Sequence, residues 1–198
     1  ALTKPLYESR AVINVGQING VGQVEPPKDL VERLREQYRV GDKSEGPIKP
    51  PYVSDVSMPK NGSDDTVIIQ ARARSPEEAR GYLEGVLAKV IKGHVQRYQA
   101  IHQQLSARLD GLQQQRNAII TQTADIDRRV AALGRDSATL AASLTLQKAN
   151  LMGQLPDVED QIGKLQLTLS AVQSNPTTVI RSPTLPARAI KPRPLLYL

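Results

Sequence analysis

Between Ser75 and Ser174 the apolar residues fall into two long seams of heptad spacing. In the first, Tyr98, Leu105, Leu112, Ile119, Ile126 and Leu133 recur every seven residues. A second row four residues on contains Leu109 and Val130, interrupted by the polar residues His102, Arg116 and Thr123. Alternating steps of three and four place both rows on one helical face, which must bury against another helix. The second seam runs through Leu144, Leu151, Val158, Leu165 and Val172, interleaved with Leu155, Ile162 and Leu169. Two matched seams predict an antiparallel helical hairpin. Each arm, from about Tyr98 to Leu133 and from Ser137 to Val172, would be roughly 54 Å long at ~1.5 Å per residue.

The turn between the arms is marked by Gly134 as a helix stop and Asp136–Ser137 as a fresh N-cap. The rival is one unbroken helix, in which the eleven-residue step from Leu133 to Leu144 is absorbed as a stutter. The hairpin is preferred. Pro156 should kink or interrupt the second arm in either case. The first arm starts with a capping box: Ser75 as N-cap, Pro76 as the first helical residue, Glu78 as the third. From there to Val95 the apolar face is broad (Leu83, Val86, Leu87, Val90, Ile91, Val95), which suits packing on a sheet.

The flanking segments predict that sheet. Arg10 to Ile18 alternates, with Ala11, Ile13 and Val15 on one face; Tyr52 to Met58 is a second strand, and Thr66 to Ala73 a third, with Val67, Ile69, Ala71 and Ala73 facing one way. Asp29 opens a short amphipathic helix in which Leu30, Val31, Leu34 and Tyr38 share a face. Thr177 to Arg181 is a candidate fourth strand. The prolines after it (Pro183, Pro186, Pro192, Pro194) favour an extended course that can run beside a sheet but not inside one. The fold class is therefore α+β: a small mixed α/β base, residues 1–96 and 175–198, and a long protruding antiparallel helical hairpin, residues 97–174.

Composition narrows the function. The 198 residues contain no Cys, Phe or Trp and only six Tyr, which removes thiolate catalysis, disulfides and Cys-type zinc sites and argues against an aromatic-lined pocket. Of the net charge of +6, four units come from Arg181, Arg188, Lys191 and Arg193, in a final stretch without acids. That is a local basic patch rather than a nucleic-acid-binding surface. No run of 18 apolar residues spans a bilayer. The ending Leu195–Leu198, apolar directly after basic residues, has the look of the approach to a membrane segment.

No catalytic constellation emerges. Gly16, Gly20 and Gly22 lack the Gly-Lys-Ser/Thr of a phosphate loop. His94 and His102 are eight residues apart and point in different directions around a helix; both read as surface or seam residues rather than metal ligands. Glu77 and Glu78 belong to the helix cap. No catalytic, cofactor-binding or metal-binding residue is nominated, and no enzyme activity is expected.

With these elements in order, the helix opening "SPEEAR" and the run "SPTLPARAIKP" resemble the bacterial polysaccharide co-polymerases, the Wzz-type O-antigen chain-length determinants. Ser75 and Pro76 match the helix opening; Pro183, Pro186, Pro192 and Pro194 match the proline-rich segment. These matches are architectural. The resemblance implies the portion facing the periplasm of an inner-membrane protein, whose membrane helices lie outside this sequence. It implies a homo-oligomeric ring that sets the length of O-antigen or exopolysaccharide while a separate membrane polymerase makes the glycosidic bonds. It also implies a hairpin, because the chain must return to the membrane. Arg188, Lys191 and Arg193 would then lie near phospholipid headgroups or a growing lipid-linked glycan; a solvated linker is the plain alternative. The competing reading is a periplasmic adaptor of an efflux or secretion system, which also extends a helical hairpin. A coiled-coil scaffold on nucleic acid is disfavoured by the balanced charge of the seams.

Overall fold

A computed structural model describes residues 4–18, 20–42, 48–60, 64–134, 137–170 and 174–191. The chain divides into two compact units, Ala1–Tyr98 with Ser174–Leu198, and Gln99–Gln173.

The first unit is built on an antiparallel four-stranded sheet of order β4-β5-β1-β7. Its strands are β1 (Tyr7–Asn14), β4 (Tyr52–Ser57), β5 (Thr66–Ala73) and β7 (Thr178–Arg181). β1 pairs with β5 without a break from Tyr7↔Ala73 to Asn14↔Thr66. The period-two pattern is obeyed. Ser9, Ala11, Ile13 and Val15 are buried, as are Val67, Ile69, Ala71 and Ala73. Against this face pack α1 (Pro27–Gln37) and the start of α2 (Pro76–Ala132). Leu30, Val31 and Leu34 come from α1; Leu83, Val86, Leu87 and Val90 come from α2. Burying one apolar face of a sheet under two amphipathic helices is the α+β solution expected from the sequence.

The expected first strand is two elements. β1 ends at Asn14, and β2 (Gln17–Ile18) joins a second, small antiparallel sheet of order β3-β2-β6, with β3 at Gly22–Gln23 and β6 at Ser174–Asn175. The chain turns between β2 and β3 through Gly20 and Gly22, both at positive φ (75° and 112°), a conformation that glycine adopts without a Cβ penalty. Asp65 ties this hairpin to the main sheet: its backbone oxygen accepts from Val15 N–H at 2.8 Å and its carboxylate accepts from the Gln17 and Gln23 side chains.

β7 and the proline-containing tail flank β1 along its other edge. β7 pairs with Val12–Asn14. Thr184 then bonds Arg10 through both backbone and hydroxyl, and Leu6 pairs with Lys191. The tail thus runs beside the sheet in the extended course its prolines favour.

The cap of α2 forms with one difference from the expected box. Glu78 N–H donates to Ser75 Oγ at 3.0 Å, while the Glu78 carboxylate accepts from the N–H of Arg74 rather than that of Ser75. Beyond the cap, the broad face includes Ala79, Leu83, Val86, Leu87, Val90 and His94. Val95 is 47% exposed and Ile91 is only half-buried. The 3.6-residue period explains the correction, because positions 83, 87, 90 and 94 follow one row and 91 and 95 lie about 70° and about 110° round from its centre.

In the second unit, the later part of α2 pairs antiparallel with α3 (Ala138–Leu169). Ile119, Val158 and Ile162 form the buried centre, with Leu109, Leu112, Leu151 and Leu155 half-buried around it. Lys148 Nζ meets Asp127 at 2.6 Å nearer the turn. Pairings of 119 with 158 and 127 with 148 require a fold-back, so the unbroken-helix alternative is excluded. Val172 and Asp136 lie outside the described residues. Ser137 precedes α3 without a side-chain capping bond, and Gly134 is not at positive φ; the turn closes instead through Leu133 N–H to Val130 O and Ser137 N–H to Gly134 O.

Pro156 does not interrupt α3, which is helical through it. Pro156 and Met152, whose carbonyl loses its helical donor, are both exposed, so water can replace the missing bond. No helix among the described residues is long and apolar enough to cross a membrane.

Candidate functional site

The most organised polar site lies in the α/β unit and is centred on Glu25, only 5% exposed. Glu25 sits between β3 and α1, immediately before Pro26-Pro27. Both its oxygens are saturated. Oε1 accepts from Arg33 Nε at 2.9 Å and from Arg97 Nη1 at 2.7 Å. Oε2 accepts from Arg33 Nη2 at 2.9 Å and from His94 Nε2 at 2.9 Å. The fork of Arg33, on α1, therefore grips both oxygens, while α2 supplies the other two donors three residues apart. Such planar two-point pairing is specific to arginine.

The opposite side of the His94 ring continues the network. Nδ1 lies 2.7 Å from Thr177 Oγ1, and the same hydroxyl oxygen accepts from Gly16 N–H at 2.8 Å. A carboxylate can only accept, so His94 Nε2 carries a proton. In the neutral ring, Nδ1 then accepts the Thr177 hydroxyl proton. Every group has a partner in the order Gly16 N–H, Thr177 O–H, His94, Glu25.

Gly16 also explains itself sterically. A Cβ there would lie 2.6 Å from Thr177 N and 2.7 Å from Asn175 O, both backbone atoms. The glycine thus lets the link between β6 and β7 approach β1, instead of opening a phosphate loop.

Burial raises the Glu25 carboxyl, but hydrogen bonds from Arg33, Arg97 and His94 outweigh it and hold the group at about 2. Burial pushes His94 below its ordinary value, against the opposing pull of the Glu25 hydrogen bond, and the charges of Arg97 and Arg33 push the same way. The Glu25 hydrogen bond is the largest influence raising Arg33. Glu25 is thus a fixed negative charge and His94 a neutral ring at neutral pH.

His94 is 3% exposed, which corrects its reading as a surface or seam residue. A local signal existed: it lies four residues after Val90 and seven after Leu87, on the buried face. Glu25, Arg33 and Thr177 offered none, because the contacts that define them span 69 to 161 positions or cross elements. His102 is exposed on the later part of α2. Among the described residues, no group of three or more His, Asp and Glu could hold a metal ion.

The residues singled out from the sequence lie apart from this network. Ser75, Pro76 and Glu78 form the α2 cap. Pro183 and Pro186 are half-buried along the tail, and Arg188 and Lys191 are exposed there. Pro192, Arg193 and Pro194 lie outside the described residues.

No protein-family model and no curated protein matches the sequence. Solved structures do show likeness. A fragment of WzzB, a polysaccharide co-polymerase from Salmonella Typhimurium, is 12% identical with a TM-score of 0.43, covering 94% of this chain and all of that one (100%). A full-length bacterial polysaccharide co-polymerase is 11% identical with a TM-score of 0.40, covering 98% of this chain and 80% of that one. A Wzz dodecamer subunit is 14% identical with a TM-score of 0.34, covering 92% of this chain and 98% of that one. These three are described as Wzz proteins or as polysaccharide co-polymerases.

Proposed function

We propose that this chain regulates the length of a bacterial surface polysaccharide, O-antigen or exopolysaccharide, as a non-catalytic homo-oligomeric scaffold. It acts with a separate membrane polymerase and its growing lipid-linked glycan, at the inner membrane and facing the periplasm. One observation carries the reading. After the helical excursion of α2 and α3, the chain re-enters the unit it left, as β6 and β7 paired with β2 and β1. Both the approach to the excursion and the exit from it are thereby fixed in one α/β unit, with "SPEEAR" opening α2 and the proline-rich run following β7. A protein anchored at both ends in one membrane needs that closure.

The exposed Arg188 and Lys191 support a position of the tail near anionic headgroups. The polar interruptions of the seam at His102, Arg116 and Thr123 support sharing of the hairpin between copies, since polar side chains add little to the apolar packing of an isolated pair of helices. The division of labour that we propose assigns anchoring to the α/β base (1–96 and 175–198) and length control to the hairpin (97–174).

The deciding experiment deletes the gene in its parent bacterium and resolves the surface polysaccharide by size on a gel. The modal length should be lost and return on complementation. A distribution unchanged by the deletion refutes the proposal.

A further inference from the structure

The Glu25 network does more than fill the interior, and what it does is independent of the function proposed above. We propose that the hydrogen-bonded chain Gly16–Thr177–His94–Glu25 is a proton-sensitive latch, closed at neutral pH, that holds the segment between β6 and β7 against α2 and β1. The geometry supplies each part. Thr177 Oγ1 is the single junction, 2.8 Å from Gly16 N and 2.7 Å from His94 Nδ1. Its hydroxyl proton has the unprotonated Nδ1 as its acceptor, which exists only while the imidazole is neutral.

Protonation of His94 changes two things together. Nδ1 becomes a donor facing the hydroxyl, so the Thr177 proton loses its acceptor. A third positive charge also arrives at a carboxylate already shared by Arg33 and Arg97, so the cluster's formal charge rises from +1 to +2. Among the described residues, the charged groups acting on the ring are Glu25, which favours the imidazolium, and Arg97 and Arg33, which oppose it. The ring is 3% exposed, and water cannot screen the added charge without entering. Opening the junction lets it in.

The sign follows from linkage. A histidine whose pKa is depressed in the closed state stabilises that state fully above the ordinary value of 6.5. The contribution is lost as pH falls from 6.5 towards the lowered value. Closure should weaken by up to about tenfold for each unit of depression.

The test is nuclear magnetic resonance of the whole chain, reading the His94 ring nitrogens and the exchange protection of the Gly16 amide against pH. At pH 7 the ring should be neutral with its proton on Nε2, and should titrate below 6.5. The Gly16 amide should lose protection, corrected for the intrinsic rate, along the same curve. In Thr177→Val the His94 pKa should rise towards its ordinary value. An imidazolium or an Nδ1–H tautomer at pH 7 would overturn the latch. So would Gly16 protection that stays flat through the His94 titration, a readout that needs no variant to fold.

Discussion

The α/β unit and the helical unit bury their residues in different ways. In the first, two helices cover a sheet, and Ala11, Ile13, Leu30, Val56, Val67, Ile69, Ala71 and Leu83 are completely buried (0% exposed). In the second, two helices cover only each other. Its best-buried apolar residues, Ile119, Ile126, Leu144, Val158 and Ile162, keep 4–5% exposure, while Leu146 and Leu167 are 64% and 60% exposed. A two-helix seam has one contact stripe and no third layer, so each residue beside the stripe remains in water. The polar groups differ likewise. The α/β unit encloses a carboxylate with four donors, whereas the ion pairs of the hairpin, such as Lys148–Asp127, are exposed. Layering creates an interior deep enough to make a buried charge specific, and a hairpin does not.

The comparison can be broken from its largest consequence downward. Leu34→Ala, which leaves a void between α1 and the sheet, should destabilise the chain by about 2–5 kcal/mol in chemical denaturation. Ile162→Ala should cost about 2 kcal/mol, at the low end of the same range, because a rod can close around the gap. If the hairpin variant proves the more damaging, the contrast in packing depth fails.

Acid sharpens the contrast next. Glu25, lowered to about 2, stabilises the fold above its ordinary 4.5 and loses that contribution as pH falls from 4.5 towards 2. Residue-resolved hydrogen exchange at decreasing pH should therefore show strands β1, β2 and β7 opening before the Ile119–Val158–Ile162 region. Smaller still is the cap: Ser75→Ala should cost about 1 kcal/mol, read from the denaturation midpoint. Smallest is Lys148→Ala, at under about 1 kcal/mol and diminishing with added salt, because its pair is exposed.

Much of this architecture was legible as periodicity. Thr66–Ala73 reads as a strand to the residue, since a period of two is complete in eight positions. The heptads gave both arms, because a hairpin's contacts repeat along each helix. Ser75 and Glu78 carried the helix start in four residues. Where a local signal competes with another rule, it misleads: Pro156 predicts a kink or an interruption, yet α3 continues through it, its exposed position letting water take the lost hydrogen bond. Hydrophobicity points to Val95, whereas helical phase points to His94, and phase decides which is buried.

The sequence by itself determined the elements, their amphipathic faces and the pairing of the two arms, because these are set by contacts between residues a turn or a heptad apart. Only the tertiary structure decided that Gly16, Glu25, Arg33, His94, Arg97 and Thr177 meet. Their contacts join distant parts of the chain at one place only, and contacts that do not recur along an element leave no period in the sequence. The α/β unit brings these residues together by covering one sheet with two helices and returning β7 to its edge, and in that buried setting a lone histidine acquires a partner on each ring nitrogen.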